Sequence, residues 1–325
     1  MPTFLHGKNT RVMFVNPSFT SQTFTAAATN GSPTITIVNA NLSLIAGMGV
    51  TAASGLVAST ILSASGSTLT LSNNFTGTTG TITFTASSTG ISYDVSQFFN
   101  DVSVAFAGEA TETTTFQTGG VKSYIAGLRE GSISLSGFYD GTVNGVDAIL
   151  TTAIANTGDE GVIVFPDGAG SATVVSRCYI TKGIETKYDL KSPISGVVAV
   201  DTEIQADGGV WRGQGQTFTQ SGVATTYAPS SSGNDRGVQG TSTNGGLLIM
   251  GVTALTGTSP TVALTFQHSQ DGSSWVSPAA DLGTESGIGG VVITLAGSIY
   301  RYTRLRVVLG GTSPSANIYY GYARF

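Results

Sequence analysis

The sequence predicts a mainly β protein with one α-helix, organised in three units of which the two smaller read as β-sandwiches. Three observations carry that prediction. Gly supplies 44 of 325 residues, Ser and Thr together supply 84, and charged residues make up only 10%, against a usual ~25%. Period-2 alternation of Thr or Ser with an apolar residue recurs along the chain, as expected of strands with one buried face. Charge is also distributed in blocks. From Val12 to Tyr93 there is no Asp, Glu, Lys, Arg or His; residues 94–236 hold 16 acids and 8 bases; the remainder is nearly balanced. A net charge of −5 excludes a basic nucleic-acid binder, and 40% apolar residues exclude disorder by composition.

The uncharged stretch reads as strands at Pro33-Thr-Ile-Thr-Ile-Val38, Ser67-Thr-Leu-Thr-Leu-Ser72 and Gly80-Thr-Ile-Thr-Phe-Thr85, with Gly55, Gly66, Gly77 and Gly80 as turns. Their spacing suits a small sandwich. In the acidic block, strands are expected at 102–106, 132–136, 161–165, 172–175 and 197–204. Residues 144–156 read as a helix instead: Val146, Ile149, Leu150, Ala153 and Ile154 follow a 3.6-residue spacing, Asn144 suits an N-cap and Asp147 the first turn. Residues 229–236 are rich in Pro, Ser and Gly and read as a linker. Strands are expected beyond it at 247–252, 261–266, 290–295, 302–308 and 317–322. The two Gly-Thr-Ser-Pro runs at 257–260 and 311–314 read as turns that each introduce a strand.

No catalytic, cofactor or metal motif is present. The chain lacks a Gly-x-Ser-x-Gly elbow, a His-Glu-x-x-His pair and a phosphate-binding Gly-rich loop. Cys178 is a single cysteine, expected as a buried thiol, and His6 and His268 are far apart in sequence. His268 is expected as a partly buried polar residue. Ser269-Gln-Asp-Gly-Ser-Ser-Trp275 is one residue short of the sialidase Asp-box, itself a structural turn. Arg301, Arg304, Arg306 and Arg324 are expected as solvated arginines on outward strand faces. The alternative is a patch for phosphates or acidic sugars. The opening residues have neither a basic start nor an apolar run, and no stretch of about 18 apolar residues occurs. The expectation is assembly in a host cytoplasm, and so little charge opposes association only weakly.

A family resemblance lies between Tyr93 and Leu150. It runs Tyr-Asp-Val-Ser-Gln-Phe-Phe-Asn100, Asp-Val-Ser-Val-Ala-Phe-Ala-Gly-Glu109, Ala-Thr-Glu-Thr-Thr-Thr-Phe116, then Val121-Lys-Ser-Tyr-Ile-Ala-Gly-Leu-Arg-Glu-Gly131 and Ser132-Ile-Ser-Leu-Ser-Gly-Phe-Tyr-Asp140. In the order of its segments this resembles the major tail tube protein of long, non-contractile-tailed bacteriophages, over residues 7–19 and 94–218. The module from Gln267 to Trp275, with Arg301-Tyr-x-Arg304, resembles domains appended to phage virion proteins. One departure stands out: Val15 and Tyr93-Asp-Val-Ser96, close together in the family, are separated here by the uncharged block. The expected organisation is a discontinuous tube unit (1–19 and 91–228), an inserted Thr/Ser/Gly-rich β domain (20–90), a linker (229–236) and a C-terminal sandwich, immunoglobulin-like or similar (237–325).

The resemblance implies six-membered rings stacked into a tube in the virion tail, with no cofactor and no enzymatic activity. Its partners would be further copies of itself, a tape measure protein in the lumen, tail terminator and distal tail proteins at the ends, and DNA passing without specific binding. An acidic lumen would repel phosphate. Glu109, Glu112, Glu130 and Asp140 are the candidate lumen or ring-interface acids; the other reading makes them ordinary solvated acids. Thr113, Thr114, Thr115 and Phe116 form the candidate inter-ring loop, with Phe116 either an anchor in the next subunit or a core residue of its own. The added domains would decorate the exterior and touch the host surface weakly. The competing readings are a surface adhesin or carbohydrate-binding protein, and a capsid decoration protein.

Overall fold

The computed structural model describes residues 9–16, 22–38, 48–52, 55–56, 59–65, 67–87, 90–112, 122, 124–141, 145–154, 159–168, 175–235, 241–277, 281–285 and 287–325. It is mainly β, with one helix among the described residues. In chain order the first half contains β1 (Arg11–Asn16), β2 (Gln22–Ala28), β3 (Thr34–Ile37), β4 (Gly49–Ala52), β5 (Ser59–Ser65), β6 (Thr68–Leu71), β7 (Gly80–Ser87), β8 (Ile91–Asp94), β9 (Phe99–Glu112), β10 (Tyr124–Phe138) and α1 (Val146–Ile154). The second half contains β11 (Glu160–Phe165), β12 (Ser176–Lys191), β13 (Ala199–Ala206), β14 (Trp211–Ser221), β15 (Ala224–Ala228), β16 (Asn234–Asp235), β17 (Gly246–Ser269), β18 (Asp281–Glu285), β19 (Gly289–Leu295) and β20 (Tyr302–Arg324). Of the expected strand at 172–175, residues 172–174 lie outside the described residues, as do Gly66 and Asn144.

The uncharged stretch closes into a six-stranded barrel in the order β2-β3-β6-β5-β4-β7, where the sequence suggested a small sandwich. Closure leaves no free strand edge, and a segment without charged residues has no charged edge to protect it otherwise. The Thr alternation does what period 2 requires: Ile35, Ile37, Leu69, Leu71, Ile82 and Phe84 are buried, while Thr36, Thr81 and Thr83 are exposed.

The remaining strands form one extended sheet, β18-β17-β20-β14-β12-β11-β1-β8, which β12 also joins to β13, β10 and β9. Its middle is buried on both faces, so β1 and β11 read as near-continuous apolar runs. One face packs Val12, Phe14, Val162 and Val164 with Val146, Ile149 and Leu150 of α1. The other packs Met13, Val15, Ile163 and Phe165 with Leu247 and Ile249 of β17. Cys178 is buried in this second layer.

The C-terminal strands differ from expectation in one respect. The segments expected as separate strands at 247–252 and 261–266 are one strand, β17; those at 302–308 and 317–322 are one strand, β20; the two pair from Gly246↔Arg324 to Ser269↔Tyr302. The Gly-Thr-Ser-Pro runs are not turns between strands but facing bends within them, with Thr258 opposite Thr312 and shifts of register on both sides. Ser259 (φ 46°) and Ser313 (φ 48°) take the left-handed conformation there. A Cβ on Gly257 would come within 3.0 Å of the Thr312 and Ser313 carbonyl oxygens, so glycine permits the crossing. Beyond the bends each strand passes into a second layer, and Leu248, Met250, Val262, Leu264, Leu305 and Val307 close a sandwich core between them.

Residues preceding the expected linker also belong to this sandwich: β14 and β15 both pair with β20. The linker itself lies against it. Asp235 accepts two hydrogen bonds from Arg301 at 2.6 and 2.8 Å, and Arg304 donates to the Ser231 carbonyl. Arg304 is not the solvated residue the sequence suggested. It is 8% exposed, and its guanidinium lies 4.0 Å from the Tyr227 ring centroid and 3.9 Å from that of Trp275. Its Nε donates to Gln267 Oε1 at 2.9 Å. Arg324 likewise turns inward, onto the Tyr300 carbonyl. A planar cation between two rings is a geometry lysine cannot supply. Arg304→Lys is therefore expected to cost nearly as much as Arg304→Ala, about 2–3 kcal/mol in urea unfolding.

Candidate assembly surface

Four strands, in the order β9-β10-β13-β12, form an antiparallel sheet with one core face and one polar face. The core face presents Val102, Val104, Ile133, Leu135, Val200 and Ile204. Alternation sends their neighbours to the opposite face. Register places Asp101, Ser136, Asp201 and Asp189 in one row across the four strands, and Ser103, Ser134, Glu203 and Lys187 in the next. Glu130 lies on the same face, opposite Ala107. The face thus gathers five carboxylates and a set of hydroxyls against two lysines. Lys187 pairs with Asp189 at 3.2 Å, and Lys191 pairs with Asp201. The Lys191 ammonium and then the Ser136 hydroxyl hold the Asp201 carboxyl below its ordinary value.

The edges of this sheet are its second feature. Among the described residues nothing pairs with the outer side of β9, and β12 beyond Gly183 pairs only with β13. Each edge carries one β-bulge. Asn100 falls between the pairs Phe99↔Gly137 and Asp101↔Ser136, and Thr186 between Glu185↔Ile204 and Lys187↔Glu203. A bulge residue stands outside its own ladder. Exposed apolar side chains lie toward both ends of the sheet: Phe138, Tyr139, Leu190, Ile194 and Val197 at one, Phe106, Tyr124 and Ile184 toward the other. Tyr139 and Val198 join the first end through a backbone hydrogen bond of 3.0 Å.

The candidate acids are not brought together. Glu130 is exposed on the polar face. Glu112 closes β9 at the far end, paired with Lys122 at 3.0 Å. Asp140 follows β10 at the opposite end, half-buried. Glu109 belongs to β9. Thr113, Thr114, Thr115 and Phe116 lie outside the described residues. Sequence reading missed Asp101, Asp189, Asp201 and Glu203. Their signal was available: Asp201 and Glu203 stand two apart in an alternating strand, so they share its polar face.

The remaining candidates are held in local hydrogen bonds. Among the described residues no group of three or more His, Cys, Asp or Glu is placed to hold a metal ion. His268 is buried, and its Nδ1 accepts the Tyr300 amide at 3.1 Å. Asp271 caps its own turn, accepting the Ser273 and Ser274 amides at 2.8 and 2.7 Å and the Ser269 hydroxyl at 2.8 Å. Those bonds hold its carboxyl well below the usual range. The turn delivers Trp275 to Arg304, so the Asp-box-like motif is a structural device here.

No protein-family model and no curated protein matches the chain. Solved structures show slight similarity. The tail of an empty gene transfer agent particle, refined with C6 helical symmetry, matches at TM-score 0.29 and 16% identity, over 35% of this chain and 80% of that one. The SPP1 Dit (gp 19.1) protein, described as a paradigm of the hub adsorption apparatus in phages infecting Gram-positive bacteria, matches at TM-score 0.25 and 10% identity, over 70% and 95% of the two chains. The VP2 subviral particle of infectious bursal disease virus matches at TM-score 0.19 and 13% identity, over 94% and 72%. Overlaps this slight assign neither fold nor role.

Proposed function

We propose that this chain is a structural subunit of a phage tail that assembles side by side into six-membered rings and stacks into a tube. The observation that carries the reading is the pair of open edges on the four-stranded sheet. Strand direction alternates through β9, β10, β13 and β12, so β9 and residues 184–191 run antiparallel to each other. Copies related by rotation about one axis can set β9 of one beside 184–191 of the next, and the alternation continues unbroken. Closing the ring removes every free edge of that sheet. Six copies would give roughly 24 strands, more than the 16–18 that already enclose an aqueous channel.

With the core face turned into each subunit, the polar face lines the channel. Its acids repel DNA phosphates, so a passing duplex meets no binding site. The tape measure protein would occupy the same lumen before DNA does, and terminator and distal tail proteins would cap the ends. The loop holding Thr113, Thr114, Thr115 and Phe116, and the apolar end around Ile194, would meet the rings on either side. The Thr-faced barrel would sit outside the tube. Negative-stain electron microscopy of the purified, concentrated chain is expected to show hollow tubes of uniform width with outer bumps. Particles that stay monomeric at every concentration, with or without a tape measure segment, contradict the proposal.

A further inference from the structure

Where β12 leaves β11 for β13, two glutamates are buried together. Glu160 opens β11, 1% exposed, and Glu185 lies on β12, 6% exposed. Glu160 stands opposite Gly183, and Glu185 follows on the same side of β12, a diagonal that long side chains span. Gly183, between them, carries no side chain; a Cβ there would sit 2.0 Å from the Gln205 carbonyl oxygen of β13. Glu185 Oε1 accepts the Thr202 hydroxyl of β13 at 2.6 Å. The second oxygen of each carboxyl, Oε2, is buried without a partner.

The next strand supplies a third unmatched atom. The β1–β11 register, Arg11↔Phe165 to Val15↔Gly161, sets Asn16 across from Glu160 when continued by one residue. Asn16 Nδ2 donates to the Ile149 carbonyl of α1 at 3.4 Å, whereas its Oδ1 is buried without a partner. Acceptors alone cannot satisfy one another; a proton among them can.

We propose that the Glu160–Glu185 pair holds a proton at neutral pH, donated toward Asn16 Oδ1, and that losing it loosens the junction from which the free edge 184–191 extends. The surrounding charges leave the pair to find its own proton. Asp159 precedes Glu160 and adds negative charge. Lys182 points to the opposite face, where Asp159 and Asp207 hold it at 3.0 and 2.6 Å. Tyr188, also on β12, donates to Asp147 of α1. No cation faces the pair among the described residues. Burial first, then the Glu185 charge, pushes the Glu160 carboxyl up to about 8, against a hydrogen bond from the Glu185 backbone amide and with a smaller push from Asp159. Burial likewise pushes Glu185 up to about 7, against the Thr202 hydrogen bond.

The sign follows from linkage. A carboxyl whose folded value lies above its unfolded 4.5 binds more protons in the folded state, so stability falls as pH rises from there to about 8 and levels beyond it. The test uses single folded chains and does not depend on tube formation. The wild-type melting temperature is expected to fall across that window. A Glu160→Gln, Glu185→Gln double variant should fall much less there than wild type, keeping only the contributions of groups such as Glu285 and His268, and should melt above wild type at its alkaline end. Equal slopes overturn the proposal. Should the variant fail to fold, infrared spectra of glutamate-labelled wild type decide: a protonated carboxyl band below pH 7 that is lost above about pH 8 supports it, and no such band overturns it.

Discussion

Replacing Asn100 or Thr186 by proline is expected to leave the subunit folded and to abolish its polymerisation. Both residues are bulges, outside the ladders to β10 and β13, and bulges on edge strands are where a sheet tolerates proline. Within the subunit the visible loss at Thr186 is one hydrogen bond, from its hydroxyl to the Glu203 carbonyl at 3.3 Å. Across the proposed contact the loss is larger. Proline removes the donor an incoming strand would use, leaving its acceptor unpaired at about 1–3 kcal/mol, and its ring holds that strand away. That corresponds to a contact roughly ten- to a hundredfold weaker, repeated at every junction of a ring. Pelleting assays should show tubes lost in both variants, with unchanged far-ultraviolet circular dichroism. Tubes that form normally from Thr186→Pro would move the contact elsewhere.

The second large effect is expected at the seam between β8 and the C-terminal strands. Ser92 Oγ accepts from the Tyr319 hydroxyl at 2.9 Å and donates to the Gly289 carbonyl at 2.7 Å, fully inside the protein. Gly290 donates to the Gly90 carbonyl at 3.2 Å. A Cβ at Gly290 would sit 2.0 Å from Ser92 Oγ and 3.2 Å from a Val15 methyl. Gly290→Ala must therefore displace a hydroxyl that holds two bonds, at about 3 kcal/mol. In a Ser92→Gly background the obstacle is gone, and the same substitution is expected to cost below about 1 kcal/mol. Denaturant unfolding of the double-mutant cycle reads this coupling directly. Equal costs in the two backgrounds would show that the seam is not packed as described.

The strands were legible wherever one face is buried. Thr34-Ile-Thr-Ile37 and Ala199-Val-Asp-Thr-Glu-Ile-Gln-Ala206 announce themselves because polar and apolar residues alternate, and α1 because Val146, Ile149 and Leu150 follow a helical stripe. The continuity of β17 and β20 was hidden. Gly-Thr-Ser-Pro has the composition of a turn, and only the facing copy at Thr312 makes it a bend inside a ribbon. Arg304 was misjudged for a related reason: a strand-borne arginine reads as solvated until Tyr227 and Trp275, 48 residues apart in sequence, arrive on either side of it. The assembly surface was half legible. Glu130 could be picked as an exposed acid, but the row of Asp101, Asp201 and Asp189 depends on register between residues up to 100 apart in sequence. Sequence spacing carries no such information. Nor does it distinguish Glu160 and Glu185, buried where three strands meet, from acids in water.

Helical reconstruction of the assembled chain by electron cryomicroscopy tests the central claim most directly. The predicted density has β9 of each copy hydrogen-bonded to residues 184–191 of its neighbour, six copies to a ring, with Asp101, Asp189, Asp201 and Glu203 facing the channel. A filament in which both of those edges face solvent, or in which the acidic row points outward, would contradict it.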